Sequence, residues 1–483
     1  MESVEPRQQI SASHWNILEK APMDVSTQEM EYREFLPDVN NYSDNKSSYT
    51  IRVTDSVNDW CLLSHAYIQV QGELKKQDGT DYVATDNVAL VNSGYSLFDR
   101  AQLLAGGSLL EEVEHCAQAM QVKLLVESSD DYKRSTGSNL GFFPDSTNEA
   151  VAISSLYTPV GAAAGNFTAV VKAHGDNIAG LGGNTTAGDG PVTVLTADAR
   201  FEQQNSRNIG FAERQALNVG RLTSFMLPLR HLFGFCAVDK VTRGIDLQVR
   251  LTRAEMNDVI HRAAGAAAGK FSFKKLSLWV PLLKPSLAVA AQLETQLAVG
   301  QMIHYDYLNW NAYKSEAAMT AQRTWRITTQ SERPLYVFIM PQATARDGNQ
   351  ERSPVVFDNA SVREMSLRVN GKQFPAEAYS CDFTTPSAED HSRVYMALMS
   401  YTNKAWNFDT GGIINYANFA SLYPIFTFDL SALDENVYSN PIELQLRATV
   451  GDVTQNIHFY AVVVSEKSVV LQADSNRAVV IQK

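Results

Sequence analysis

Apolar and polar residues alternate most cleanly between Gly244 and Thr252. Ile245, Leu247, Val249 and Leu251 point to one side of an extended chain, and Asp246, Gln248, Arg250 and Thr252 to the other. Period two over this length predicts a half-buried β-strand, whose four apolar side chains are worth roughly 1.5–3 kcal/mol each once an apolar layer covers them. Pro441–Thr449 (PIELQLRAT) repeats the isoleucine, acid, leucine, glutamine, aliphatic and arginine of GIDLQVRLT in the same order. A repeated strand predicts a repeated domain.

Other landmarks follow the same order in both halves. Tyr49–Thr54 (YTIRVT) is answered by Thr324–Thr329 (TWRITT), and the strand through Ala66, Ile68 and Val70 by Leu335–Met340 (LYVFIM). The Asp78-Gly79 turn is answered by Asp347-Gly348, and QLLAGGSLL, with its Gly106-Gly107 turn, by MSLRVNGKQF with Asn370-Gly371. His115–Ser128 changes period, with Cys116, Met120 and Leu124 four residues apart, and predicts a short helix that His391–Tyr401 repeats. FMLPLRHLF is answered by YPIFTFDL, and FSFKKLSLW by NIHFYAVVVS. The early landmarks are offset by about 270 residues and the late ones by about 200, so the first copy carries a surplus of about 70. That surplus falls at about 130–220, a Gly/Ala/Thr/Asn-rich run with short strand-like pieces at Thr168–Lys172 and Val192–Leu195. It is expected to be a surface excursion, because a buried loop of that length would leave backbone donors and acceptors unpaired.

Two such units predict an all-β protein of two tandem eight-stranded jelly-roll sandwiches with short helices and long surface loops. The expected division is an N-terminal arm over 1–45, a first unit over 46–284, a linker helix over 285–300 (LAVAAQLETQLAV after Ser286, ended by Gly300) and a second unit over 301–483. The arm is polar and mostly aperiodic, and is expected to need a partner to become ordered.

At 483 residues and 45% apolar, each unit has enough apolar residues for a core. A net charge of −12 argues against broad contact with a phosphate backbone. Cys61, Cys116, Cys236 and Cys381 stand far apart without metal spacing and read as reduced core residues. No basic region followed by an apolar run opens the chain, and no segment reaches bilayer-spanning length, so a soluble chain made in the cytosol is expected.

Chemical motifs are sparse. The histidines form no H-E-x-x-H or H-x-H pattern, and His231 reads as a polar residue satisfying backbone groups at a strand end. Gly182-Gly183 and Gly188–Gly190 lack the Lys-Ser/Thr of a phosphate loop, and Glu111-Glu112 and Asp130-Asp131 read as solvated surface. Tyr305, Tyr307, Trp310 and Tyr313 fit either a stacking platform or packing at a subunit or domain junction. Their place after the linker favours the junction. No catalytic, cofactor-binding or metal-ligating residue is assigned, and no cofactor or enzymatic activity is expected.

The blocks YIQVQGELKKQDGTDY and ALVNSGYSLFDRAQLLAGG, the pair LPLRHLFGF and GIDLQVRLTR, and the SLRVNGKQFP hairpin together resemble the double jelly-roll major capsid proteins of the adenovirus, PRD1 and Polinton lineage. The likeness is strongest to those of Polinton and adintovirus-like elements and spans nearly the whole chain. It implies two upright eight-stranded jelly rolls, a homotrimer of pseudo-hexagonal outline, and outer loops rising as towers, with the arm reaching under a neighbouring capsomer. The implied function is tiling an icosahedral shell around a double-stranded DNA genome, with location in the virion after synthesis and assembly inside the host cell. The implied partners are neighbouring capsomers, penton and minor capsid proteins and a host receptor, with no sequence-specific nucleic acid binding. The alternative from another class is a tandem β-sandwich that binds or acts on carbohydrate.

Overall fold

The computed structural model describes residues 26–482 apart from 40–41, 43–46, 58, 84–85, 151–207, 299–301, 328–332, 384–389, 403–404, 406–411, 434–441 and 475–476. In the first half the strands are β1 (Thr27–Phe35), β2 (Ser48–Val53), β3 (Trp60–Cys61), β4 (Tyr67–Lys76), β5 (Val88–Leu90), β6 (Phe98–Ala105), β7 (Ser108–Glu114), β8 (Leu222–Pro228), β9 (Leu247–Arg253), β10 (Ile260–Arg262) and β11 (Gly269–Pro285). In the second half they are β12 (Met302–Lys314), β13 (Gln322–Ile327), β14 (Arg333–Ala343), β15 (Val362–Val369), β16 (Lys372–Ser380), β17 (Phe426–Asp429), β18 (Leu444–Val450), β19 (Ile457–Asp474) and β20 (Arg477–Gln482).

The repeated strand forms in both halves with one burial pattern. Leu247, Val249 and Leu251 of β9 and Leu444, Leu446 and Ala448 of β18 are buried, while Arg250 and Arg447 are exposed. Their partners match as well. Tyr49, Ile51 and Val53 of β2 face Leu251, Val249 and Leu247, while Arg323, Trp325 and Ile327 of β13 face Ala448, Leu446 and Leu444. Alternation therefore fixed the register, since a one-residue slip would turn every apolar side chain to water.

Each half is a two-sheet sandwich. The first pairs the sheet β1-β11-β4-β8 with the sheet β2-β9-β6-β7, and the second pairs β12-β19-β14-β17 with β13-β18-β15-β16. Counting the eight main strands of each half in chain order, both read 1-8-3-6 and 2-7-4-5, which is the jelly-roll order. β3 and β20 extend the first sheet of each half, and β5 and β10 form a separate pair. The two hairpin turns sit where the sequence places them. Gly106 and Gly107 have φ of 56° and 83°, and Asn370 and Gly371 have 47° and 85°, the doubly left-handed geometry of a two-residue hairpin turn. A helix follows the fifth main strand in both copies, Cys116–Glu127 in the first and Ser392–Tyr401 in the second, and a linker helix spans Leu287–Ala298.

Three expectations are corrected. The arm over 1–45 is not wholly outside the fold: β1 pairs with β11 from Thr27↔Pro285 to Phe35↔Leu278 as the first main strand of the first jelly roll. It escaped detection because seven of its nine residues are exposed, so no apolar face marks it. HYDYLNWNAY, read as an aromatic cluster, is the body of β12, paired along β19. The excursion at about 130–220 is anchored in the core at both flanks, where Leu140, Phe142 and Phe211 are buried. There Arg214 pairs with Asp145 at 2.5 Å, both side chains being almost fully enclosed. Asn208 donates to the same carboxylate at 2.8 Å, and Arg214 Nε donates to the Leu90 carbonyl at 2.9 Å. Gly-rich composition hid these anchors, since a buried ion pair is tolerated when its remaining hydrogen bonds are filled. The middle of the excursion, with Thr168–Lys172 and Val192–Leu195, lies outside the described residues.

Candidate functional site

The chemistry of this chain collects between the two jelly rolls. From the first come β7, the helix Cys116–Glu127 and the turn Phe235–Ala237; from the second come β12 and β19. The backbone turns tightly at Gly234 against β12, where an added Cβ would stand 2.0 Å from the Leu308 carbonyl oxygen, so no larger residue fits without moving the strand. Phe235 then lies 5.0 Å from the Tyr305 ring and 5.9 Å from Tyr307. Lys123 sits over the Trp310 ring at 5.2 Å and donates to the His231 carbonyl at 2.8 Å. Lys467 reaches back from β19 to the Leu110 carbonyl at 2.6 Å. Tyr305, Tyr307 and Trp310 are buried. Of the two readings of the aromatic cluster, the structure selects packing at the domain junction; no open stacking face remains on these three rings.

Glu111, expected at a solvated surface, is 1% exposed at this junction. Its carboxylate accepts the Gly234 and Phe235 N–H groups at 2.8 and 3.1 Å, holding the turn that meets β12. Burial pushes its carboxyl up to about 7, against those two donors and the nearby Lys123 and Lys467, which favour the charged form. Sequence gave no signal for it, because Glu111-Glu112 reads as one exposed pair although successive strand residues face opposite ways. Asp130, of the other acidic pair, forms surface ion pairs with Lys133 at 2.6 Å and Arg134 at 2.8 Å. The four cysteines are buried and none is joined in a disulfide.

A cleft of about 280 Å³ opens at one edge of the junction, lined by Asp99, His115, Glu255 and Asp258 of the first unit and Lys314, Asp347 and Tyr460 of the second. Asp258 accepts the Gly348 N–H across the cleft at 2.8 Å, and Lys314 pairs with Asp347 at 2.8 Å. Behind them, Gln342 donates to the Pro354 and Val356 carbonyls at 2.9 and 2.8 Å, which turns its carbonyl oxygen toward His458 Nε2 at 3.3 Å. That nitrogen must therefore carry the proton. In the neutral ring the Nδ1 lone pair then faces Asp347 at 3.7 Å. Burial, reinforced by Lys314, pushes the His458 imidazole down to about 4. His231, in the short helix Leu229–Leu232, is likewise pushed down to about 4 by burial, and its Nε2 meets the hydroxyl of Tyr132 from the helix Asp130–Arg134 at 3.1 Å, so its partner is a side chain. Among the described residues no three His, Cys, Asp or Glu side chains are placed to hold a metal ion. The arrangement joins two domains by polar and aromatic contacts.

The double jelly roll-like domain family matches residues 197–469. Among solved structures, a chain of the Sputnik virophage is 13% identical with a TM-score of 0.55, over 100% of this chain and 93% of that one. The mavirus major capsid protein is 11% identical with a TM-score of 0.50, over 100% and 96%. A chain of the PBCV-1 virus capsid is 10% identical with a TM-score of 0.50, over 96% and 99%. At these identities the likeness is one of fold. No curated protein sequence matches the chain.

Proposed function

This chain belongs to the double jelly roll-like family, and we propose that it is a major capsid protein whose three copies form a pseudo-hexameric capsomer tiling an icosahedral shell around a double-stranded DNA genome. Its role is then structural and not catalytic. The observation that carries this reading is an internal contact with both complementary halves left over. Within one chain, β12, the first main strand of the second jelly roll, covers β7 and the helix Cys116–Glu127 of the first. The equivalent parts that remain are β1, with seven of nine residues exposed, and β16 with the helix Ser392–Tyr401, in which only Val394 and Leu398 are buried. A head-to-tail contact repeated from chain to chain closes a ring when its rotation permits, and six jelly rolls from three chains make such a ring. Met30 and Tyr32 on β1 and Met396 on the helix, each 40–46% exposed, are apolar groups at those free faces.

The jelly rolls in this reading run from β1 to residue 284 and from 301 to the end, with 285–300 between them. Neighbouring capsomers, penton and minor capsid proteins would meet the outer faces, and loops of the 130–220 excursion would offer the surface to a receptor. The charge of −12 fits a shell that leaves DNA contact to other components. Light scattering on the purified protein tests the reading: a mass three times the 53.4 kDa chain and pseudo-hexagonal particles in micrographs are expected. A stable monomer would overturn it.

A further inference from the structure

The linker helix Leu287–Ala298 (LAVAAQLETQLA) carries eight apolar residues in twelve. None of its described side chains, at positions 287–295, is buried. Leu287 is 87% exposed, and Ala288 and Ala291 are exposed with it. The i, i+4 spacing puts Leu287 and Ala291 on one face of the first two turns. Val289, Ala290 and Leu293 are half-buried. Among the described residues, Arg243 stands 4.0 Å from Glu294, and the Thr295 hydroxyl donates to the Ala291 carbonyl at 2.7 Å. A helix this apolar on its outer face ordinarily has that face covered.

One stretch of the chain enters the fold beside this face. The Ser286 N–H, at the start of this helix, donates to the Ser26 carbonyl at 2.8 Å, and Thr27 is paired with Pro285. The twenty-five residues before Ser26 therefore join the fold beside the exposed turns, and they include Ile10, Trp15, Ile17, Leu18 and Met23. A twelve-residue helix is about 18 Å long, and twenty-five residues reach well past it even far from full extension. A tethered segment acts at an effective concentration of order millimolar, which favours its own chain over a second copy.

We propose that residues 1–25 dock on the linker helix of their own chain, placing Trp15, Ile17 and Leu18 against Leu287, Ala288 and Ala291. The proposal rests on this exit point and this exposed face, and holds whether or not the protein builds a shell. Hydrogen exchange at the Leu287–Ala298 amides of the full chain tests it against a variant lacking residues 1–25 and against Trp15→Asp/Ile17→Asp/Leu18→Asp. Both variants should exchange at least tenfold faster there, with β19 unchanged, and a synthetic peptide of residues 1–25 at millimolar concentration should restore protection to the deletion variant. Unchanged exchange in the triple variant would overturn the proposal even if the deletion variant did not fold. Protection that rises with protein concentration and survives both changes would assign the face to a second copy and overturn it equally.

Discussion

The helices Cys116–Glu127 and Ser392–Tyr401 hold the same place after the fifth main strand of their jelly rolls, yet ten of twelve residues are buried in the first and two of ten in the second. The first lies under β12 of the neighbouring jelly roll, whereas among the described residues the second packs on β17 and the helix Tyr416–Ser421 of its own jelly roll. A duplicated sequence thus reproduced a scaffold without reproducing its surroundings. Burial in each copy is decided by what the other copy, or another chain, lays against it. The strands repeat this lesson in reverse: β9 and β18 face their own sandwich cores, and their burial patterns are identical.

Where the two copies are alike, they should fail alike. Leu247→Asp and Leu444→Asp each put a carboxylate into a sandwich core, at sites 1% and 0% exposed, and should each cost about 4 kcal/mol or more, abolishing soluble protein. Soluble yield and urea unfolding measure it; tolerance at one site alone would break the equivalence of β9 and β18. Where the copies differ, they should fail differently. Met120→Ala removes a fully buried side chain and should cost about 2–5 kcal/mol of chain stability. Met396→Ala, at a side chain 41% exposed, should change chain stability by less than about 0.5 kcal/mol while weakening association of copies in sedimentation.

A pH-dependent effect of intermediate size concerns the junction itself. The Glu111 carboxyl is raised to about 7 in the folded chain, so between its ordinary value and 7 the folded state holds a proton that the unfolded state has lost. Stability should therefore fall as pH rises through that window, by about 2 kcal/mol between pH 5.5 and 7. Glu111→Gln, which does not titrate, should flatten that part of the profile in thermal melts. A wild-type profile already flat from 5.5 to 7 would show that the carboxylate is better solvated than its burial implies. His458, lowered to about 4, works oppositely: its neutral folded form costs stability as pH falls below the ordinary histidine value.

Much of the fold was legible because sandwich strands carry their burial in their spelling. Leu247, Val249 and Leu251 alternate since one sheet face is dry and the other wet, and Gly106-Gly107 and Asn370-Gly371 mark turns since few other residues take positive φ cheaply. β1 was not legible, because a strand exposed on both faces is held by backbone hydrogen bonds, which any sequence supplies. β12 was half legible: its aromatics pointed to a junction, but Asn309 and Trp310, both buried, break the alternation that would mark a strand. The junction carboxylate Glu111 was misread, since its fate depends on the N–H groups of Gly234 and Phe235, more than a hundred residues away.

By itself the sequence determined the duplication, the two hairpin turns and the face that β9 and β18 each bury, because these rest on local periodicity and turn chemistry repeated along one chain. Only the tertiary structure decided which surfaces of two like units are spent inside the chain and which are left for partners. That choice depends on how one sandwich is set against the other, with Gly234 against Leu308 and Lys123 over Trp310, and no stretch of residues encodes such a placement alone.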